Sequence, residues 1–298
     1  MAANAEGMPN NLVLIRHGES EANIMQHRDK SGDHHELMQA IYDRPDWEQR
    51  LSVEGMEQAR KAGHWLINEF GGIESFDLRL SSPFMRTRET ALYLTNPSLD
   101  INDPVAVAEA VGGWIYDDRL VERHWGMYGT LPLKEQQRMF PKTYELKRRD
   151  PWYTALDGGE SQASGVRLRV RDLHDTLIRE APGKNVLAVT HGEFMWTERQ
   201  VLEGLLPEEY VAMDGDKSVR IRNCAALQYS RQNPEDPEEV DKKVRWMRFV
   251  YTDKPEESPY GGDWQEVERK RRFTAAEIIA QLALAPPLLR DVEARSTD

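Results

Sequence analysis

The chain has 298 residues, with 39 Lys and Arg against 51 Asp and Glu, a formal net charge of −12 and one cysteine. This acidic balance argues against nucleic acid or an anionic membrane as a partner, because both require a basic face. The lone Cys224 excludes an intramolecular disulfide, residues 1–11 lack a signal-peptide pattern, and no apolar run approaches the ~20 residues of a membrane span. We therefore expect a cytoplasmic protein.

Apolar runs of strand length alternate with helical patterns along most of the chain. Residues 12–15 and 186–189 are fully apolar, which is typical of strands covered on both faces. The predicted elements are, in order, a strand at 12–15, an irregular polar insertion with little core at 21–50, a helix at 52–70, a strand at 76–80, a helix at 83–94, a strand at 114–120, a helix at 132–147, a loop at 158–161, an amphipathic helix ended by 182–183, a strand at 186–189, a helix at 193–202, and strands at 225–229 and 244–251.

This alternation predicts an α/β fold of three layers, in which helices flank a mainly parallel central sheet. We place this domain at residues 11–252. Residues 253–298 are predicted to be a charged C-terminal tail with one helix, at 274–284.

Two histidines occupy the same position relative to the predicted strands. His17 follows the run 12–15, His191 follows the run 186–189, and each is followed by a glycine and a predicted helix. The carboxyl ends of parallel strands line the active crevice of such folds, so the two imidazoles are expected to converge on one ligand. Gly18 and Gly192 would let the backbone approach that ligand closely.

Arginines near the same strand ends indicate the type of ligand. Arg16 precedes His17, and Arg86 lies in the helix that follows strand 76–80. Guanidinium groups match phosphate oxygens with paired hydrogen bonds, and helix N-termini favour anions. The pattern predicts a phosphate pocket with imidazole at its centre.

Five motifs in this order resemble the histidine phosphatase superfamily, which includes the cofactor-dependent phosphoglycerate mutases. The resemblance covers roughly residues 11–230, and the set is far more specific than any one member. The motifs are Arg16-His17-Gly18-Glu19-Ser20 with Asn23, Ser81-Ser82-Pro83-Phe84-Met85-Arg86-Thr87, Leu120-Val121-Glu122-Arg123-His124-Trp125-Gly126, Gly158-Gly159-Glu160-Ser161, and Thr190-His191-Gly192.

The resemblance implies a role for each marker residue. His17 would attack phosphorus and become phosphohistidine, and Glu122 would act as acid and then base. The remaining residues would bind the phosphate and stabilise its charge: Arg16, Arg86, His191, Asn23 and Gly192. It also implies a phosphorylated small molecule as substrate, with no metal and no cofactor, because arginines supply the positive charge.

Two departures from the mutases favour hydrolysis of a phosphomonoester. The mutases carry a lysine near position 133, where this chain has Leu133 followed by Lys134. They also have an asparagine after the second His-Gly, where this chain has Glu193, and an acidic group there would repel an anionic substrate tail. A mutase-type phosphotransferase remains the alternative, and so does a non-catalytic module that binds a phosphorylated ligand.

Other features stay open at this stage. Lys147-Arg148-Arg149 would be a solvated helix end or a second anion site of the substrate. His27, His34 and His35 lie in the polar insertion and lack the spacing of a structural zinc site. A homo-oligomer is neither required nor excluded.

Overall fold

A computed structural model describes residues 7–32, 37–109, 112–268 and 272–285. The strands are β1 (Asn11–Arg16), β2 (Leu78–Ser81), β3 (Ile115–Tyr116), β4 (Asn185–Thr190), β5 (Ala225–Ser230), β6 (Trp246–Tyr251) and β7 (Gln265–Glu266). The helices are α1 (Glu21–Ser31), α2 (Leu37–Tyr42), α3 (Val53–Phe70), α4 (Met85–Thr95), α5 (Pro104–Glu109), α6 (Leu133–Met139), α7 (Pro141–Arg149), α8 (Arg167–Glu180), α9 (Gly192–Glu203), α10 (Pro207–Gly215) and α11 (Ala275–Leu282).

The seven strands form one sheet in the order β3-β2-β4-β1-β5-β6-β7. The first four of these are parallel neighbours, whereas β5, β6 and β7 each pair antiparallel with the strand before. The predicted α/β class with a parallel core is confirmed, and the antiparallel strands extend the sheet on the side of β5. β1 and β4 lie side by side at its centre, so the two fully apolar runs of the sequence are neighbours.

Two hydrophobic cores cover the two faces of the sheet. Along β1, Leu12 and Leu14 pack with residues of α8 and α9, while Val13 and Ile15 pack with residues of α3 and α4. This alternation explains why β1 is apolar at every central position, since neither face meets water. The three layers expected from the sequence are therefore helices, sheet and helices.

Local signals set the limits of α3 as predicted. The Ser52 side chain accepts a hydrogen bond from the Gly55 backbone nitrogen, and Gly71 ends the helix with a left-handed φ of 81°. The following helix, α4, begins at Met85 rather than at Pro83, because the chain stays extended through Phe84.

Residues 21–50 were predicted to be irregular, and that prediction is wrong. The insertion forms α1, α2 and a short 3-10 turn at Asp46–Glu48. A reciprocal cap between Ser20 and Asn23 starts α1, and Gly32 ends it in a left-handed conformation. The two caps set the limits of a helix that has little amphipathic pattern and that buries the Met25 side chain.

Two further predictions need correction, and some elements were missed. The strand expected at 114–120 is only β3, because the Asp117 side chain accepts a bond from the Arg119 nitrogen and starts a 3-10 turn. The helix expected at 132–147 is split into α6 and α7, since Pro141 opens a new helix. The missed elements are α5, α10 and β7.

The chain divides into two compact units, one ending at Val267 and the other beginning at Glu268. The first unit continues past residue 252, where we placed the end of the domain, because β7 pairs with β6. In the second unit, Thr274 caps α11. In the part of the chain that the structure describes, no helix is long and apolar enough to cross a membrane.

Candidate active site

The carboxyl ends of β1 and β4 bring His17 and His191 together. The His17 backbone nitrogen donates to the Thr190 carbonyl at 2.9 Å, which continues the pairing of the two strands to their last residues. Both side chains are buried, and their ring centroids lie 5.1 Å apart in an edge-to-face arrangement. The predicted convergence of the two histidines is therefore observed.

The His17 ring is held in one tautomer. Its Nδ1 atom lies 2.6 Å from the Gly18 carbonyl oxygen, and because a carbonyl can only accept, Nδ1 carries the hydrogen. Burial, followed by the charges of Arg86 and Arg16, lowers the pKa of His17 well below its usual value. The ring is therefore neutral at neutral pH, with a free electron pair on Nε2.

The His191 ring is also neutral but is held from its other nitrogen. Its Nε2 lies 2.9 Å from the Ser82 hydroxyl, and burial lowers the pKa of His191, with the charge of Arg86 as the next cause. The Nδ1 atom is buried and has no hydrogen-bond partner among the described residues. Such a group is costly in a folded protein unless a ligand meets it.

Arg16 presents a second unpaired donor. Its terminal nitrogen donates to the Ile221 carbonyl at 2.8 Å, whereas its Nε is buried without a partner among the described residues. Burial is the largest cause of the lowered pKa of Arg16. A Cβ atom on Gly192 would lie 3.4 Å from this Nε, so the glycine lets the guanidinium lie against the start of α9.

The Arg86 side chain is buried, with 4% of its surface exposed, and it forms an ion pair with Asp46 of the insertion. Its two terminal nitrogens donate to the Asp46 carboxylate at 2.9 and 3.3 Å, and one of them also donates to the Asp46 carbonyl at 2.7 Å. The Asp46 side chain remains 48% exposed. The insertion therefore reaches the predicted phosphate site through this carboxylate.

Asn23 is connected to the His17 loop through Asn223. The Asn223 amide donates to the His17 carbonyl at 3.1 Å and to Asn23 Oδ1 at 3.0 Å. Asn23 Oδ1 also accepts from the Ser20 backbone nitrogen at 3.2 Å. Because these donors fix the oxygen, the Nδ2 group is the part of the Asn23 amide left to donate to a ligand.

The loop after His17 packs directly on α3. A Cβ atom on Gly18 would lie 2.3 Å from the Gly55 carbonyl oxygen, and one on Gly55 would lie 2.0 Å from the Glu19 carbonyl oxygen. Only glycine fits at either position, because the opposing atoms are backbone. The close contact fixes the backbone that carries the His17 side chain.

Glu122 lies at the same site, on the loop after β3. Its Oε1 accepts from the backbone nitrogens of Arg123 at 2.8 Å and Glu193 at 3.2 Å. Burial raises the pKa of Glu122, and the charges of Arg86 and Arg16 act against that rise. A carboxyl group with a raised pKa is suited to exchange a proton near neutral pH.

The Gly158-Gly159-Glu160-Ser161 loop holds the backbone on both sides of Glu122. Arg169 donates to the carbonyls of Arg119, Val121 and Glu122, and its guanidinium pairs with Glu160. Glu160 Oε1 in turn accepts from the His124 backbone nitrogen at 2.9 Å. The motif thus anchors the acid-bearing loop.

Comparison with known proteins identifies the family of this chain. The family model described as "Histidine phosphatase superfamily (branch 1)" matches residues 12–235. The chain belongs to this superfamily. Its members are phosphatases and phosphomutases, so the chain belongs to an enzyme superfamily.

Relatives of both kinds occur. The 2,3-bisphosphoglycerate-dependent phosphoglycerate mutase of Rhizobium etli is 28% identical over 209 residues, which cover 68% of this chain and 85% of the mutase. A mycobacterial glucosyl-3-phosphoglycerate phosphatase superposes with a TM-score of 0.54 at 22% identity, over 80% of this chain and 96% of that one. The alpha-ribazole phosphatase of Shigella flexneri has a TM-score of 0.54 at 19% identity, over 78% and 98%. The structural likenesses establish the histidine phosphatase fold alone.

The structure brings all the predicted superfamily residues to one site. The charges of Arg16 and Arg86 act on both His17 and Glu122, His191 touches the His17 ring, and Asn23 is tied to His17 through Asn223. His34 and His35 lie outside the described residues. Cys224 is buried with a left-handed φ of 54°, and its nitrogen donates to the Arg16 carbonyl, so its backbone supports the site.

Sequence reasoning missed the partners of these residues and left Lys147 undecided. Asp46 and Arg169 carried no recognisable signal, and Ser82 stood in a quoted motif without a role of its own, because each acts on a residue distant in the chain. Lys147 is half-buried, with its ammonium 4.4 Å from the Trp125 ring centroid, and the charge of Glu193 acts on it. The other two basic residues of that run, Arg148 and Arg149, are exposed.

Proposed function

We propose that this member of the histidine phosphatase superfamily is a phosphatase that hydrolyses a phosphomonoester of a small molecule through a phosphohistidine at His17. One observation carries the proposal: in the pocket of the neutral His17 ring, whose Nε2 has a free electron pair, two buried nitrogens, Arg16 Nε and His191 Nδ1, have no partner among the described residues. Each unpaired buried donor costs roughly 1–3 kcal/mol, and a phosphate oxygen that accepts from it removes that cost.

In the first step, Nε2 of His17 attacks phosphorus and the P–O bond to the leaving group breaks. Glu122, whose raised pKa keeps its proton available, donates that proton to the leaving oxygen. The products are phosphohistidine and the free alcohol. Arg16, Arg86 and Asn23 donate to the phosphoryl oxygens as charge moves onto them, and so does the N-terminus of α9 at Gly192.

In the second step, a water molecule attacks phosphorus and the P–N bond breaks. Glu122, now a carboxylate, takes the proton from the water, so the acid is restored together with neutral His17. The Nδ1–H···O bond to Gly18 keeps the same tautomer through both steps. No group other than these side chains and the water is needed to balance the reaction.

His191 would donate to the phosphoryl group through Nδ1. A neutral imidazole carries one hydrogen, and if Nδ1 carries it, Nε2 must accept from Ser82. The Ser82 hydroxyl is free to donate, because Oγ accepts from the Phe84 backbone nitrogen at 3.3 Å and uses only a lone pair there. Ser82 would thus set the tautomer of the second histidine.

Two residues support hydrolysis over mutase transfer. Leu133 stands at the start of α6, where the mutases carry a lysine, and Glu193 places an acidic side chain next to Glu122. A phosphoglycerate mutase activity is the second candidate. The half-buried ammonium of Lys147 favours it, because this cation lies close enough to act on Glu193 and could reach a substrate carboxylate.

Product analysis on a panel of phosphomonoesters tests the proposal. We expect stoichiometric release of inorganic phosphate, lost in His17→Ala and retained in His64→Ala, which changes an exposed histidine of α3. Conversion of 3-phosphoglycerate to its isomer in the presence of 2,3-bisphosphoglycerate, without net phosphate release, would instead establish a mutase. Binding of vanadate with no turnover of any ester would establish a non-catalytic module.

A further inference from the structure

Glu193 lies on the side of the site where the leaving group must sit. Its backbone nitrogen donates to Glu122 Oε1 at 3.2 Å, and Glu122 is the group proposed to protonate the leaving oxygen. The Glu193 side chain keeps 24% of its surface exposed, so it is not sealed in the core. A substituent within about three bonds of the ester oxygen would therefore come close to this carboxylate.

The Glu193 carboxylate is held in place, but only one of its two oxygens accepts a hydrogen bond among the described residues. Its Oε2 accepts from the Gln162 amide, which also donates to the Tyr210 hydroxyl at 3.1 Å and accepts from Thr197 at 2.8 Å. These bonds fix Gln162 and hence the carboxylate. Its Oε1 has no hydrogen-bond partner among the described residues, so it is available to accept from a ligand.

Among the described residues, no cation donates a hydrogen bond to the Glu193 carboxylate. The nearest guanidinium is that of Arg123, at 4.0 Å, and it already donates to the carbonyls of Glu160 at 3.0 Å and Thr154 at 2.9 Å. The other charges that act on Glu193 are those of Glu122, Asp214 and Lys147. Glu193 Oε1 is thus an open acceptor, and the side chain carries a negative charge once the pH exceeds its raised pKa of about 7.

Resting on the phosphatase activity proposed above, we infer that Glu193 selects the leaving group. It accepts alcohols that carry a hydrogen-bond donor, a hydroxyl or an ammonium, on a substituent within about three bonds of the ester oxygen, and it rejects alcohols that carry a carboxylate there. A donor on the ligand forms a charge-assisted hydrogen bond with Oε1. A carboxylate at the same place faces a like charge in a partly desolvated site, which opposes binding.

Two substrates of equal length and opposite chemistry test this assignment. Glycerol 3-phosphate and 3-phosphoglycerate differ in that a hydroxymethyl group of the first is a carboxylate in the second. For the wild type at pH 8, where most Glu193 side chains are ionised, we expect kcat/KM to be at least about tenfold higher for glycerol 3-phosphate. In Glu193→Gln, which keeps the shape and removes the charge, this ratio should fall at least about fivefold.

The ratio of the two kcat/KM values is the informative quantity, because any effect of the Glu193 substitution on Glu122 changes the turnover of both substrates by the same factor. Glu180→Gln, which changes an exposed carboxylate of α8, should keep the wild-type ratio. Equal use of both compounds by the wild type, or an unchanged ratio in Glu193→Gln, would overturn the inference.

A calorimetric measurement separates this inference from the proposed function. Release of phosphate from none of the esters, phenyl phosphate included, would count against the phosphatase and not against Glu193. Binding of the same two compounds to wild type and Glu193→Gln then decides the matter. Weaker binding of 3-phosphoglycerate that the substitution relieves supports the selection, and equal binding to both proteins contradicts it.

Discussion

Asp46 and Arg86 form a two-point ion pair that joins the insertion to the phosphate site. The guanidinium is buried, while the carboxylate is half-exposed and comes from a segment that the sequence indicated to be irregular. The arrangement orients Arg86, but it also places a negative charge where a phosphate dianion must bind. With phosphate bound at Arg86 as proposed, Asp46 would compete with the substrate for the same nitrogens.

Replacement of Asp46 by asparagine should tighten the binding of inorganic phosphate. The change keeps the size of the side chain and removes one negative charge beside the site. Because water screens the half-exposed carboxylate, we expect a modest gain of about three- to tenfold in affinity. Competitive inhibition by phosphate measures it, with Asp43→Asn, at an exposed neighbouring position, as the control. Unchanged or weaker phosphate binding in Asp46→Asn would show that Asp46 mainly positions Arg86.

Substitution of Gly55 by alanine should both destabilise the fold and displace the loop that follows His17. The added Cβ would lie 2.0 Å from the Glu19 carbonyl oxygen, which is backbone and cannot rotate away. We expect a loss of about 2–3 kcal/mol in the free energy of unfolding, measured by urea denaturation. Gly215→Ala, in α10 with no atom within 4 Å of the new Cβ, should be neutral or stabilising. Equal midpoints for the two variants would contradict the close contact.

The pH dependence of stability should reveal the environment of Glu193. Burial, with the charge of Glu122 as the second cause, raises the pKa of Glu193 to about 7. The folded state then binds its proton more tightly than the unfolded state, so this contribution to stability is complete below about pH 4.5 and is lost as the pH rises through 7. Glutamine does not titrate, so a variant with glutamine at this position does not lose this contribution to stability as the pH rises.

Glu193→Gln should therefore gain about 1–3 kcal/mol in stability relative to the wild type between pH 4.5 and 8. Chemical denaturation at both pH values measures the difference, and Glu180→Gln should show none. A stability difference that stays constant across this range would mean that Glu193 titrates as an ordinary surface carboxylate.

The sequence predicted the parts of the fold that depend on local pattern. The apolar runs at 12–15 and 186–189 became adjacent central strands because both faces of the sheet are covered, and His17 and His191 follow from that placement. Ser52 and Gly71 set the ends of α3 through capping bonds that are local in the chain. These features need no knowledge of distant contacts.

The parts that could not be predicted depend on contacts between distant segments. The pairing of Arg86 with Asp46 and of Asn223 with His17 has no local signature. α1 has weak amphipathic character, so its main local signal is the Ser20–Asn23 cap. Both residues also belong to the superfamily motif and were interpreted only as part of the phosphate site. From the sequence, Glu193 was expected only to repel an anionic substrate tail. Its hydrogen bonds to Gln162 and Glu122, on which the proposed selectivity depends, join segments that are distant in the chain.

The phosphohistidine at His17 is the central claim, and rapid-quench labelling tests it most directly. The wild type, mixed with a radiolabelled phosphoester and quenched in alkaline detergent, should carry label on the peptide that contains His17. That label should be lost on brief exposure to acid, present in His64→Ala and absent in His17→Ala. Steady turnover by the wild type without any trapped label, or label on another residue, would contradict the account.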